Sequence, residues 1–98
     1  MYIRVWEYEV AAEHYDAFVA AYGAHGDWAH LFQRGRGHVG TELYMSTDHE
    51  AHFVTVDRWR DHAAWHAFLE DWGEAYGVLD TTMSRLTTAQ RSVVEGPS

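Results

Sequence analysis

Three observations predict an α+β sandwich of the ferredoxin-like type, with elements in the order β-α-β-β-α-β. Two adjacent segments, 39–46 and 52–60, alternate with the period of a strand across a short polar link, the pattern of an antiparallel hairpin. Stripes of apolar residues at the helical spacing i, i+3, i+4, i+7 stand on either side of that pair. A strand-like run opens the chain and another is expected to close it, which completes the split βαβ arrangement.

Residues 2–10 are rich in β-branched and aromatic types. Tyr2, Arg4, Trp6, Tyr8 and Val10 fall on one face of this strand, and Ile3, Val5, Glu7 and Glu9 on the other. The period changes at Ala12. Tyr15, Phe18, Val19 and Tyr22 form a helical stripe that resumes after Gly23 and Gly26 with Trp28, Leu31 and Phe32, so a long helix bent or broken at 23–26 is expected. Gly35 and Gly37 are expected to close it as C-cap glycines. Val39, Thr41, Leu43 and Met45 then alternate with Gly40, Glu42, Tyr44 and Ser46, and Thr47 to Glu50 make a turn.

In the strand from His52 to Arg60, Phe53, Thr55, Asp57 and Trp59 share one face. Asp61 has the type and place of an N-cap. The helix it opens carries the stripe Ala64, Trp65, Phe68, Leu69 and Trp72, continuing past Gly73 to Tyr76 and Leu79. The last strand lies within Ser84–Val94, best at Ser92 to Val94, although residues 87–90 also suit a helical turn. One domain is expected over 1–94, with 95–98, around the single Pro97, as a flexible tail.

Composition excludes several chemistries. With no cysteine there is no disulfide, thiol nucleophile or cysteine-ligated metal, and with seven arginines and no lysine there is no Schiff base. A net charge of −8 removes the positive field that nucleic acid or an anionic membrane would need, so neither is an expected partner. The N-terminus lacks the basic and apolar regions of a signal peptide, and no apolar run has the length of a membrane span, so a cytoplasmic location is expected. What stands out is five Trp, six Tyr, four Phe and eight His in 98 residues. Protonating all eight histidines would cancel the net charge, so solubility should fall as the pH drops through about 6.5.

Large apolar side chains occupy both parities of the strands, whereas an antiparallel sheet with one wet face should be polar on one parity. The second face is therefore expected to be covered by another copy, giving a homodimer packed through its sheets. Among motifs, Gly35-Arg36-Gly37-His38-Val39-Gly40 matches the dinucleotide fingerprint G-x-G-x-x-G, but here a helix precedes it and a strand follows, the reverse of what pyrophosphate binding requires. It reads as a helix end and strand entry. His62 and His66 share a helix face and could begin a metal site with His49 or His52, but surface histidines are the plainer reading, and no metal is expected. Tyr8, Trp28, Phe32, Phe68, Trp72 and Tyr76 are candidates to line a cavity between sheet and helices, because so many rings are hard to pack without gaps.

Three stretches, YIRVWEYEV leading into AEHYDAFVAAYG, GHVGTELYMS, and FVTVDRWRDHAAWHAFL, together resemble the antibiotic biosynthesis monooxygenase superfamily, also described as the dimeric α/β-barrel group. The resemblance covers residues 1 to about 90 and is most specific at Trp59 followed by Trp65. It implies a ferredoxin-like protomer, a homodimer through the sheets and a pocket in each protomer. Some members oxidise phenols of aromatic polyketides without a cofactor, and others degrade haem. In the phenol oxidisers an asparagine on the third strand, the tryptophan ending it and a later aromatic build the site. The two aromatics match Trp59 and Trp65, and Thr55 stands where the asparagine would be. The haem-degrading pattern is not matched, since Glu7 or Tyr8, Phe68 and Val78 fall where its asparagine, tryptophan and histidine would be.

The resemblance thus implies a cofactor-independent monooxygenase, or related tailoring enzyme, acting on a planar aromatic phenol or hydroquinone, with no cofactor. Trp59 and Trp65 would stack the rings, and Thr55 with His38 or His66 would orient or deprotonate the hydroxyl. A non-catalytic dimer that binds a hydrophobic small molecule, and a cyclase-like tailoring enzyme, remain as alternatives.

Overall fold

A computed structural model describes all of residues 1–98. The order is β1 (Tyr2–Glu9), a 3-10 turn (Ala12–His14), α1 (Tyr15–Tyr22), α2 (Asp27–Phe32), β2 (His38–Met45), β3 (His52–Trp59), α3 (His62–Met83), a second 3-10 turn (Ser84–Leu86) and β4 (Ala89–Pro97). The strands form one antiparallel sheet in the order β2-β3-β1-β4, the ferredoxin-like arrangement, with the helices on one face.

The break in the first helix falls where the glycines stand. The chain turns extended at Gly23, and a Cβ at Gly26 would lie 2.4 Å from the Ala20 carbonyl oxygen, so only glycine allows α2 to restart so close to α1. Gly35 and Gly37 are not left-handed caps as expected; neither has a positive φ. At Gly37 the reason for glycine is close approach, since a Cβ there would meet the Ala64 Cβ of α3 at 2.2 Å. Asp61 caps α3 as expected, its carboxylate accepting from the Ala64 N–H at 2.8 Å.

The C-terminus departs from the expected tail. Glu95, Gly96 and Pro97 pair with Arg4, Ile3 and Tyr2 at the end of β4. β4 is an edge strand, where a proline lacking an N–H does no harm, so Pro97 is no signal of a tail.

Two register shifts set which residues face the helices. In β2 the shift between His38 and Gly40 places His38 opposite Trp59 and Thr41 opposite Asp57, so His38 and Thr41 share the helix-facing side although three residues apart. In β4 a shift opposite Val5/Trp6 brings Glu95 beside Arg4. The core between sheet and helices is mostly aromatic, with Phe18, Trp59 and Phe68 fully buried alongside Val10 and Leu86. On the other face Val5 pairs with Val56 and Val94, an apolar centre flanked by ion pairs of Glu42 with Arg58 and of Glu7 with His52 and Arg91.

Candidate functional site

Where the aromatic packing stops, a cavity of about 60 Å³ opens between the sheet and the helices. Its floor is helix-facing side chains of three strands: Arg4, Trp6 and Tyr8 of β1, Thr41 of β2, Thr55 and Asp57 of β3. Tyr22, Trp28, Phe32 and Tyr76 close it from the helices, and the exposed Asp80 and Gln90 stand at its rim.

The floor is polar and buried. Asp57 is 6% exposed and Thr55 3%. The Thr41 hydroxyl donates to Asp57 Oδ1 at 2.6 Å and lies 3.0 Å from His38 Nε2. Burial pushes the Asp57 carboxyl up to about 6, against the opposing effects of the Thr41 hydrogen bond and the positive charge of Arg4. Desolvation also pushes the Tyr8 and Tyr22 phenols up, so both remain neutral donors, and it lowers His38, opposed by a backbone hydrogen bond at Gly40. Two buried groups that line the cavity, Thr55 Oγ1 and Trp28 Nε1, stand beside the Tyr8 and Tyr22 phenols, whose pKa values they lower, and neither makes a well-aligned hydrogen bond. A buried polar group whose hydrogen bond is poorly made costs about 1–3 kcal/mol; the indole N–H of Trp59, sealed in the core, is a third such group.

Arg4 is held rather than free. Its Nε donates to Glu95 Oε1 at 3.0 Å, and its guanidinium carbon lies 4.0 Å from the Trp65 ring centroid, a desolvated cation–π contact. Glu95 accepts from Tyr2 as well, and against the cost of burial these two hydrogen bonds hold its carboxyl below the ordinary range.

Of the residues predicted from sequence, the structure brings Thr55, Tyr8, Trp28, Phe32 and Tyr76 to the cavity. Trp59 and Phe68 are sealed in the core and Trp65 lies under Arg4, so none of the three lines it. Trp72 stands on an outer cleft beside Arg34, 5.1 Å from the guanidinium. His66 is exposed and paired with Glu70 at 2.7 Å, one turn from His62, and no third donor joins these two histidines as metal ligands. His38 stays behind Thr41, against Trp59 and Phe32. Arg4, Thr41 and Asp57 were not singled out. Their signal was parity: each stands on the core-facing side of its strand, and an inward charge rarely lacks a purpose.

The family model for antibiotic biosynthesis monooxygenases matches residues 1–71. The chain belongs to that family. The matched part contains Thr55, Asp57 and Trp59, while Tyr76, Asp80 and Gln90 of the cavity lie beyond it. Among solved structures, SnoaB, a cofactor-independent oxygenase from Streptomyces nogalater, is 21% identical with a TM-score of 0.67, over 99% of this chain and 94% of that one. A Nitrosomonas europaea protein assigned to the same family is 17% identical with a TM-score of 0.71, over 98% and 88%. PA3566 from Pseudomonas aeruginosa is 14% identical with a TM-score of 0.65, over 99% and 94%. At these identities the likeness is one of fold. No curated protein matches the chain significantly.

Proposed function

We propose that this family member is a cofactor-independent monooxygenase-type tailoring enzyme that oxidises a phenol or hydroquinone of a planar aromatic molecule such as a polyketide. The observation that carries this reading is the buried Asp57 carboxyl on the floor of a cavity that also presents the Thr55 hydroxyl and Trp28 indole N–H, neither of them in a well-aligned hydrogen bond. A phenol there donates its O–H to Asp57, whose raised pKa suits a general base near neutral pH. Thr55 and Trp28 Nε1 meet the oxygens of the ring, and Tyr8, Phe32 and Tyr76 supply apolar walls. The phenolate then supplies the electrons: phenol and dioxygen give quinone and water with no outside reductant. The fold shared with an oxygenase that needs no cofactor supports the same reading.

At about 60 Å³ the cavity is smaller than the roughly 150 Å³ that a single benzene ring occupies in a protein interior, so any aromatic substrate enters only as rim side chains move aside. For the setting we propose a cytoplasmic homodimer whose apolar sheet faces around Val5 and Val56 cover one another. Light scattering on a sizing column should give twice 11.3 kDa at micromolar concentration, and a monomer there would remove the dimer. Oxygen uptake by metal-free protein with a panel of phenols and hydroquinones tests the activity. The expected result is uptake matched by quinone formation. Tryptophan fluorescence quenching without uptake would leave binding alone.

A further inference from the structure

We propose that the cavity selects a substrate with two oxygens side by side on its ring, a hydroxyl that donates to Asp57 and a neighbouring oxygen that accepts from Arg4. The inference rests on the reading of the cavity as a phenol site and adds the oxygen pattern of the substrate to it. Arg4 on β1 and Asp57 on β3 are direct partners in the antiparallel register, both are 6% exposed, and both line the cavity. The Cα atoms of such partners lie about 4.5–5.5 Å apart, and buried opposite charges at that spacing ordinarily join in an ion pair. These two do not. Arg4 Nε donates to Glu95 Oε1 at 3.0 Å, and Asp57 Oδ1 accepts from Thr41 at 2.6 Å.

Each charge is thus tied on the side away from the other. Thr41, Asp57, Arg4 and Glu95 stand in one row across β2, β3, β1 and β4, hydrogen-bonded at both ends and open in the middle. A bulge sets the outer tie. Counting from the pair Trp6 and Ser92, a regular β4 would put Val94 opposite Arg4, and the extra residue, Val93, puts Glu95 there instead. Trp65, 4.0 Å from the guanidinium carbon, holds the group in place. The Tyr76 phenol stands beside it without a well-aligned hydrogen bond, so the Nη groups keep donors for an acceptor. Arg4 and Asp57 still sense one another, since the positive charge of Arg4 draws the Asp57 carboxyl down against the effect of burial. A lone hydroxyl satisfies Asp57 and leaves the guanidinium without an acceptor. Two adjacent oxygens satisfy both, the first giving its O–H to Asp57 and the second taking an N–H from Arg4.

The three dihydroxybenzenes decide it, because they share a formula and differ only in where the oxygens stand. Catechol has them adjacent; resorcinol and hydroquinone do not. Calorimetric titrations at pH 7.5 keep Asp57 ionised, and removing dioxygen prevents turnover. Catechol should then bind at least about tenfold more tightly than either isomer. Equal binding of the three, or a preference for either of the others, overturns the inference and leaves the phenol site intact. No binding by any of them removes the phenol site and this inference together. Arg4→Met takes away the donors, and should bring catechol down to the affinity of hydroquinone; a preference that survives overturns the inference. Because Arg4→Met also unties Glu95 and can unfold the chain, the arginine side-chain ¹⁵N signals of the parent give a second measure. Catechol should shift the Arg4 Nη resonances, and resonances that stay in place overturn the inference.

Discussion

Residues Thr55, Asp57 and Trp59 follow one another on the same face of β3, yet they stand in opposite surroundings. Trp59 is fully buried, with Phe68 at 5.1 Å, Trp65 and His38 at 5.2 Å and Phe32 at 5.6 Å between ring centroids. Two and four residues earlier the packing ends, and Asp57 and Thr55 meet an opening. The rings build a rigid wall, and the proposed chemistry belongs to the few polar groups where that wall stops. Phe32 serves both, touching Trp59 at one edge and the cavity at the other.

The comparison can be broken at either end. Trp59→Ala should have the largest effect, a loss of about 3–5 kcal/mol in denaturant unfolding, because nothing nearby can fill the gap left by an indole. Asp57→Asn should act in the opposite direction. The Asp57 carboxyl rises from its ordinary 3.8 to about 6, so the folded protein binds that proton more tightly than the unfolded one. The stability it contributes is full below about 3.8 and lost as the pH rises through about 6. Asp57→Asn, which stays neutral, should therefore be more stable than the parent at pH 8 by up to about 3 kcal/mol, with the gain vanishing near pH 4.

Gly37→Ala should cost about 1–3 kcal/mol, since its Cβ would drive into Ala64 and part α3 from the sheet. Thr55→Val removes a hydroxyl that makes no well-aligned hydrogen bond, so stability should change by less than about 1 kcal/mol while binding of a phenol weakens. At the exposed end of the scale, His66→Ala should shift stability by no more than about 0.5 kcal/mol and leave any activity intact.

Most of the fold could be read from periodicity, because each helix and strand shows one face to a single core. Asp61 declared α3, and Gly23 with Gly26 declared the break before α2. What escaped depended on pairing across the sheet. Nothing local in Gly37-His38-Val39-Gly40-Thr41 announces a bulge, so alternation alone does not bring His38 to the side of Thr41. The pairing of Glu95 with Arg4 likewise needs β4 laid beside β1, which made a polar terminus look loose. At the site, the family resemblance pointed to Trp59 and Trp65, which the structure packs in the core and under Arg4, away from the cavity. The inward parity of Arg4, Thr41 and Asp57 is the feature of the sequence that foretells the polar floor of the cavity.

The central claim is that reaction takes place at Asp57 and not on the faces of Trp59 and Trp65. Oxygen uptake by Asp57→Asn beside Trp59→Phe, each checked to be folded, tests it most directly. The account predicts a loss of at least about 100-fold in Asp57→Asn, despite its greater stability at pH 8, and a rate within a few-fold of the parent in Trp59→Phe. Full activity in Asp57→Asn, or its abolition in a well-folded Trp59→Phe, would contradict it.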